Sequence, residues 1–289
     1  MPRVPREVRK VGVVGLGAMG AGIAQVCVQA GVEAIGCEVS SELADRAQAR
    51  IDHYLSRGVE KGRLGPEEKA AALALLETTT DLAELAGCDL VVEAVVEELD
   101  EKRRLFRRLD GIVRPDAVLA TNTSALPVTE IARATDRPER VVGMHFFNPA
   151  PVLPLVEIVR TELASDDVVD TACAFAERIG KEPIRCGDTP GFVVNRILIP
   201  LLNDCVRVLD EASVTPDDLD KAMTKGVNWP IGPCALIDLI GVDVHVHASE
   251  ALHAALGEER MAPPARLVRM RDEGVLGRKT GRGFFSYPE

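Results

Sequence analysis

The stretch "MHFFNPAPVLPLVEIV" (144–159) holds two residues able to move a proton, His145 and, twelve residues later, Glu157, the one acidic residue in an otherwise apolar run. An ionised carboxylate among apolar residues is costly unless a polar group meets it. The prolines of "APVLP" (150–154) force a turn that returns "LVEIV" to the strand before it, so a His145–Glu157 pair is predicted. A lone histidine near a strand end is often only a hydrogen-bonding group. Beside a carboxylate its tautomer is fixed and its imidazolium form is stabilised, which makes it a general base for a hydroxyl proton. Thr121, Asn122, Thr123 and Ser124 add hydroxyls and an amide just past another strand. Ligands of open α/β sheets bind at that edge, although such residues also serve as helix caps and turns.

A second chemical signature lies near the start. Gly15, Leu16, Gly17, Ala18, Met19 and Gly20 follow one strand and open a helix, the arrangement in which backbone N–H groups at a helix start cradle a pyrophosphate. The next strand ends at Glu38, eighteen residues past Gly20, where a carboxylate accepts hydrogen bonds from an adenosine ribose and repels a 2′-phosphate. NAD is therefore favoured over NADP.

These residues need a sheet to hold them. Strand-like runs at 10–15, 32–38, 89–95, 117–121 and 140–146 alternate with helix-length segments, which indicates an α/β fold of Rossmann type, doubly wound around a mostly parallel sheet. Leu43, Ala47, Ile51 and Leu55 mark one helix face, and Leu105, Leu109 and Ile112 another. "CGDTPGF" (186–192) punctuates the chain, giving an NAD-binding domain over 1–187 and a second, all-helical domain over 188–289, with Pro200 expected to kink its first helix. The active site is expected between the two domains.

Composition narrows the function classes. With 34 basic and 45 acidic residues the net charge is −11, which argues against nucleic acid or an anionic membrane as partner, so an anionic ligand needs a local basic patch. Seven scattered cysteines without a C-x-x-C pair suit reduced thiols in the cytoplasm. The uncharged segment 11–32 resembles a signal anchor, but its six glycines suit a tight turn better than a membrane span. His245-x-His247 does not read as a metal site, because i and i+2 diverge on a helix.

Together, "GLGAMGAGIAQV", "VVEAVVEE", "TNTSALPVTEIA", "GMHFFNPAPVLPLVEIV", "DTPGFVVNRIL", "GPCALIDLIGVD" and "GRKTGRGFFSY" resemble the 3-hydroxyacyl-CoA dehydrogenase family, particularly its short-chain branch acting on 3-hydroxybutyryl-CoA, over nearly the whole chain. The resemblance implies that His145 is the base, Glu157 its acidic partner, and Ser124 and Asn195 the groups that hold the reacting oxygen. It implies cofactor contacts at Glu38, Glu97, Lys102, Asn122, Ser124 and His145, a shaping role for Asn148 and a coenzyme A phosphate contact at Lys61. Ala125 and Cys234 depart from the family's usual serine and large aromatic, which points to a differently shaped acyl pocket.

The expected reaction is reversible, NAD-dependent oxidation of a (3S)-3-hydroxyacyl-CoA by a homodimer. The rivals are a dehydrogenase of an acyl-carrier-protein thioester or a free 3-hydroxy acid, and a non-catalytic NAD-binding protein of the same fold.

Overall fold

A computed structural model describes residues 6–287. Contacts divide the chain into two units, the first ending at Thr189 and the second beginning at Pro190. The break falls two residues later than 187 because the Asp188 carboxylate belongs to the first unit, where it accepts the backbone N–H groups of Val128 and Thr129 at 3.0 and 2.6 Å.

The first unit runs β1 (Lys10–Val14), α1 (Ala18–Gln29), β2 (Glu33–Cys37), α2 (Ser41–Glu60), α3 (Pro66–Ala74), β3 (Leu76–Thr79), β4 (Leu90–Glu93), α4 (Leu99–Asp110), β5 (Val118–Thr121), α5 (Val128–Ala132), β6 (Val141–Phe146), β7 (Leu155–Arg160), α6 (Asp166–Arg178) and β8 (Glu182–Gly187). The strands form one sheet in the order β3-β2-β1-β4-β5-β6-β7-β8. Every pair is parallel except β6–β7, where His145 lies opposite Glu157. β3 and β8 were not expected from the sequence. Their patterns, "LETT" and "EPIRCG", are polar and only partly buried because both lie on sheet edges.

Successive strand residues face opposite layers. Leu90, Val92, Val118, Ala120, Val142 and Met144 join one core with α1, α2 and α6. Val91, Leu119 and Val141 join the other with Phe106 and Leu109 of α4 and Ile131 of α5. Each such side chain, fully buried, contributes roughly 1.5–3 kcal/mol. Because Met144, Phe146, Val156 and Ile158 face the first layer, His145 and Glu157 face the second, on the α4 and α5 side.

The buried stripe of α2 is Ala44, Ala47, Ile51 and Leu55, with Leu43 exposed, unlike the expected stripe. Steps of four drift about 40° around a helix, so a step of three is needed to keep one face inward. Leu43 instead donates its N–H to the Ser40 hydroxyl that caps the helix.

The second unit contains α7 (Val194–Glu211), α8 (Pro216–Lys221), α9 (Pro233–Ile240), α10 (Val242–Leu256) and α11 (Ala265–Asp272). Helix α7 continues through Pro200. Leu202, Val206, Ile237, Val242, Val246 and Leu267 form its main core. Asp238 secures the final segment by accepting from the N–H groups of Phe284 and Phe285 and the Tyr287 hydroxyl. Among the described residues no helix is long and apolar enough to cross a membrane.

His245 is wholly buried on α10 and its Nε2 lies 2.8 Å from Asn203 Oδ1. Asn203 donates its amide to Met261 O, so its oxygen faces the ring and Nε2–H is the donor. Burial pushes the His245 pKa down to about 4. From pH 6.5 toward 4 the unfolded chain therefore takes up a proton that the folded chain refuses, and stability falls as pH falls, by roughly 3 kcal/mol at full development. His245→Gln should lose less of its urea midpoint than the parent between pH 7 and 4.5. An equal loss would remove His245 from the acid sensitivity.

Candidate active site

The glycine loop is built on close approach. Gly15 has φ +86°, a conformation that favours glycine, and its N–H donates to Cys37 O on β2. A Cβ on Gly20 would lie 1.8 Å from the Gly15 carbonyl oxygen, so only glycine lets α1 start this close to β1. A Cβ on Gly17 would meet nothing within 4 Å, which leaves an open approach to the start of α1. Leu16 turns its side chain into the core, and its N–H donates to Glu38 Oε1 at 2.6 Å. Glu38 follows β2 directly and its other oxygen accepts from Val39 N–H. Ala18 is exposed and Met19 packs against the core. The open approach at Gly17, the helix start behind it and an adjacent carboxylate fit a dinucleotide.

The carboxyl ends of β4, β5 and β6 bring several polar side chains to one edge of the sheet. His145 Nδ1 lies 2.7 Å from Glu157 Oε2, with the ring 4% exposed and Glu157 fully buried. An ionised carboxylate only accepts, so Nδ1–H donates to Glu157 and Nε2 is the acceptor nitrogen of the neutral tautomer. The Phe147 ring packs against the imidazole at 4.6 Å between centroids. Asn122 is buried at the end of β5, with Oδ1 accepting from Phe146 N–H at 2.9 Å, so it ties the β5 end to the histidine strand. Ser124 is exposed beyond it, and its N–H donates to Glu97 Oε1 at 2.9 Å.

Lys102, expected at the cofactor, is only 1% exposed; its ammonium lies 2.5 Å from Glu93 and 3.3 Å from Glu97. Its direct partners are carboxylates. Sequence reasoning missed Glu93, and also Lys181, whose buried ammonium donates to Ala150 O and Leu153 O and so holds the turn behind His145. Burial lowers the Lys181 pKa. For Glu93 a charged residue at the end of an apolar strand was the available signal, whereas Lys181 precedes the polar edge strand β8 and carried none.

Lys61 and Asn148 line one cavity of about 660 Å³ on the first unit, together with Arg50, Tyr54, Arg57 and Arg63. This is the local basic patch that an acidic protein needs for an anionic ligand. Asn195 sits half-buried in the first turn of α7 in the second unit. Cys234 is wholly buried in a cluster with Cys205, Leu209 and Leu219.

Residues 10–189 match the 3-hydroxyacyl-CoA dehydrogenase NAD binding domain, and residues 191–287 match the C-terminal domain of the same family. The chain belongs to the 3-hydroxyacyl-CoA dehydrogenase family. It is accordingly an NAD-dependent oxidoreductase, with its glycine loop in the NAD-binding domain. A probable 3-hydroxybutyryl-CoA dehydrogenase of Deinococcus radiodurans is 42% identical over 96% of this chain and 100% of its own length. The human mitochondrial hydroxyacyl-coenzyme A dehydrogenase is 37% identical over 97% of this chain and 91% of its own. Among solved structures, FadB2 of Mycobacterium tuberculosis superposes with a TM-score of 0.96 at 43% identity, covering 98% of this chain and 100% of that one. The (S)-3-hydroxybutyryl-CoA dehydrogenase PaaH1 of Ralstonia eutropha gives 0.93 at 39% identity, covering 98% and 100%.

Two of the three loop glycines, Gly17 and Gly20, separate binding from folding. Gly17→Ala should keep the parent's melting temperature while weakening NADH about tenfold or more, since its methyl group occupies only the open approach. Gly20→Ala should lower both. Calorimetric NADH titration with a thermal melt reads the difference, and an unchanged NADH affinity in Gly17→Ala would place the cofactor elsewhere.

Proposed function

We propose that the protein catalyses the reversible NAD-dependent oxidation of a short-chain (3S)-3-hydroxyacyl-CoA, such as 3-hydroxybutyryl-CoA, to the 3-oxoacyl-CoA. The observation that carries the reading is the buried His145–Glu157 pair at the same sheet edge as the glycine loop. The names of its relatives point to the same substrate class.

NAD, when bound, supplies the hydride acceptor, held by the loop 15–20 and by Glu38. In oxidation His145 Nε2 takes the hydroxyl proton while the O–H electron pair becomes the second bond of the ketone. Glu157 then faces an imidazolium and offsets its charge across 2.7 Å. In reduction the same proton returns to the ketone oxygen. Ser124 holds that oxygen, and Asn148 shapes the entrance beside the histidine turn. The cavity with Lys61, Arg50, Arg57 and Arg63 takes the phosphates of coenzyme A.

The second unit exposes Ile197, Val227, Leu239 and Val244, each more than half accessible, and we assign this apolar surface to a homodimer contact. All seven cysteines are unpaired, which suits a reducing cytoplasm.

His145→Gln should lower kcat by at least about 10²-fold, the low end for general acid–base catalysis, with NADH affinity kept. Glu157→Gln should lower kcat as well, because the imidazolium loses its counter-charge. Ketone reduction consumes one proton, so its apparent equilibrium constant should rise about tenfold for each pH unit lowered. NADH oxidation measured with acetoacetyl-CoA, its carrier-protein thioester and free acetoacetate should rank the coenzyme A ester first. Near-parent turnover in His145→Gln, or preference for the free acid, would overturn the reading.

A further inference from the structure

The turn that joins β6 to β7 has little apolar burial to hold it: of residues 148–154 only Ala150 is buried. A segment of that kind owes its order to hydrogen bonds. Two arise within the turn, where Val152 N–H and Leu153 N–H donate to Pro149 O at 2.9 and 3.1 Å. Others come from the place where β8 begins. Glu182 N–H donates to Pro154 O at 2.8 Å, and the Lys181 ammonium donates to Ala150 O at 2.5 Å and to Leu153 O at 3.0 Å. Lys181 is only 7% exposed, and among the described residues no carboxylate pairs with its ammonium. Its backbone is fixed just past the end of α6, with its N–H donating to Ala176 O at 2.9 Å. The turn also meets α1 closely: a Cβ on Gly22 would lie 3.1 Å from Pro151 Cδ and 3.2 Å from Ala150 Cβ. Asn148, Pro149, Pro151 and Val152 of this turn form one wall of the cavity that holds Arg50, Arg57, Lys61 and Arg63.

We propose that Lys181 is a positioning residue for the thioester: by drawing in the carbonyls of Ala150 and Leu153 it shapes the turn as a wall of the basic cavity, and so governs how tightly the coenzyme A ester is held. The thioester role rests on that cavity taking coenzyme A, as proposed above. The hold on the turn does not. A buried cation without a counter-charge is costly, and burial lowers the Lys181 pKa accordingly. An apolar residue of the same length would avoid that cost, but it would leave the carbonyl of buried Ala150 unmet and the shape of the turn unspecified. Hydrogen bonds from an ammonium are short and strong, and two of them from one nitrogen fix the spacing of the carbonyls at 150 and 153. The proton-transfer pair lies outside this hold. His145 and Glu157 face each other inside the β6–β7 ladder, whose last pair before the turn is Phe146 and Val156, and their own hydrogen bond keeps them together. A looser turn therefore alters the cavity wall and leaves the base in place.

The test separates holding the turn from folding the chain. Lys181→Met keeps an unbranched side chain of similar length and strands no buried carboxylate, so its melting temperature should stay close to the parent's. At saturating NADH its KM for acetoacetyl-CoA should rise about tenfold or more, with kcat within about twofold of the parent. The amides of Val152 and Leu153 should exchange hydrogen at least about tenfold faster than in the parent, with neither substrate nor cofactor present. Lys181→Gln, a shorter and neutral donor, should fall between parent and Met variant in both readouts, and it carries the test if the Met variant does not fold. An unchanged KM, or a fall in kcat at unchanged KM, would overturn the thioester role, and parent-like exchange at 152 and 153 would overturn the hold on the turn. Arg57→Ala, a change in the α2 side of the cavity, checks the site itself and should raise KM for the same thioester. If it does not, the coenzyme A reading of the cavity falls and the thioester role with it, while exchange at 152 and 153 still decides whether Lys181 sets the turn.

Discussion

Glu157 is a carboxylate with no water access in the middle of a strand flanked by valine and isoleucine, and much of the first unit follows from keeping it paired. Burying an ion costs several kcal/mol after relaxation, and leaving it without a partner costs about 3–5 kcal/mol. A parallel return of the chain would need a crossover of about a dozen residues or more. Residues 147–154 provide too few, so β7 reverses beside β6 and sets Glu157 opposite His145. That one antiparallel step in an otherwise parallel sheet is therefore tied to the chemistry. It requires a tight, proline-rich turn, whose free carbonyls at Ala150 and Leu153 are met by the Lys181 ammonium from the residue before β8. β8 then pairs with β7 and covers its outer side.

The same sheet edge contains a second buried carboxylate, Glu93, with its own cation. Buried ion pairs are weak evidence for stability, because apolar residues of similar volume often stabilise as well or better. Two buried carboxylates in adjacent parts of one sheet, one hydrogen-bonded to a histidine and one paired with a lysine, are better understood through what their geometry fixes. Glu157 orients a ring through Nδ1, and Glu93 ties the end of β4 to Thr121 at the end of β5. Charged groups suit both tasks because their hydrogen bonds are short and directional, so a small displacement loses much of the interaction.

What could be read from the sequence follows the range of each interaction. The glycine loop, Glu38 and the His145–Glu157 pair lie within local units, a strand-turn-helix or a hairpin, and spacing alone predicts their neighbours. The central strands were legible because burial on both faces makes them continuous apolar runs. β3 and β8 were not, since an edge strand needs only half that pattern. Glu93 sits at the end of an apolar strand much as Glu157 sits within one, but its partners Lys102 and Thr121 come from a helix and from the neighbouring parallel strand, and no local turn announces them. The domain break was misplaced by two residues for a similar reason: the sequence "CGDTP" reads as a linker, while the Asp188 side chain reaches back to cap α5, some sixty residues earlier.

Charge is arranged in the first unit by ligand part. An overall −11 would repel a polyphosphate ligand at long range, but at physiological salt charges beyond about 8 Å are largely screened. What a phosphate meets is therefore decided by its immediate surroundings. Around the cavity of α1 and α2 these are Arg50, Arg57, Lys61 and Arg63, with Tyr54 offering an aromatic face. At the end of β2 the balance is reversed. Glu38 has both oxygens already accepting backbone N–H groups, which holds the carboxylate in place. A fixed negative charge discriminates more strongly than a mobile one, because it cannot swing away to admit the wrong ligand. Local charge of opposite sign is thus kept apart within one unit, positive at the basic groove and negative at the end of β2.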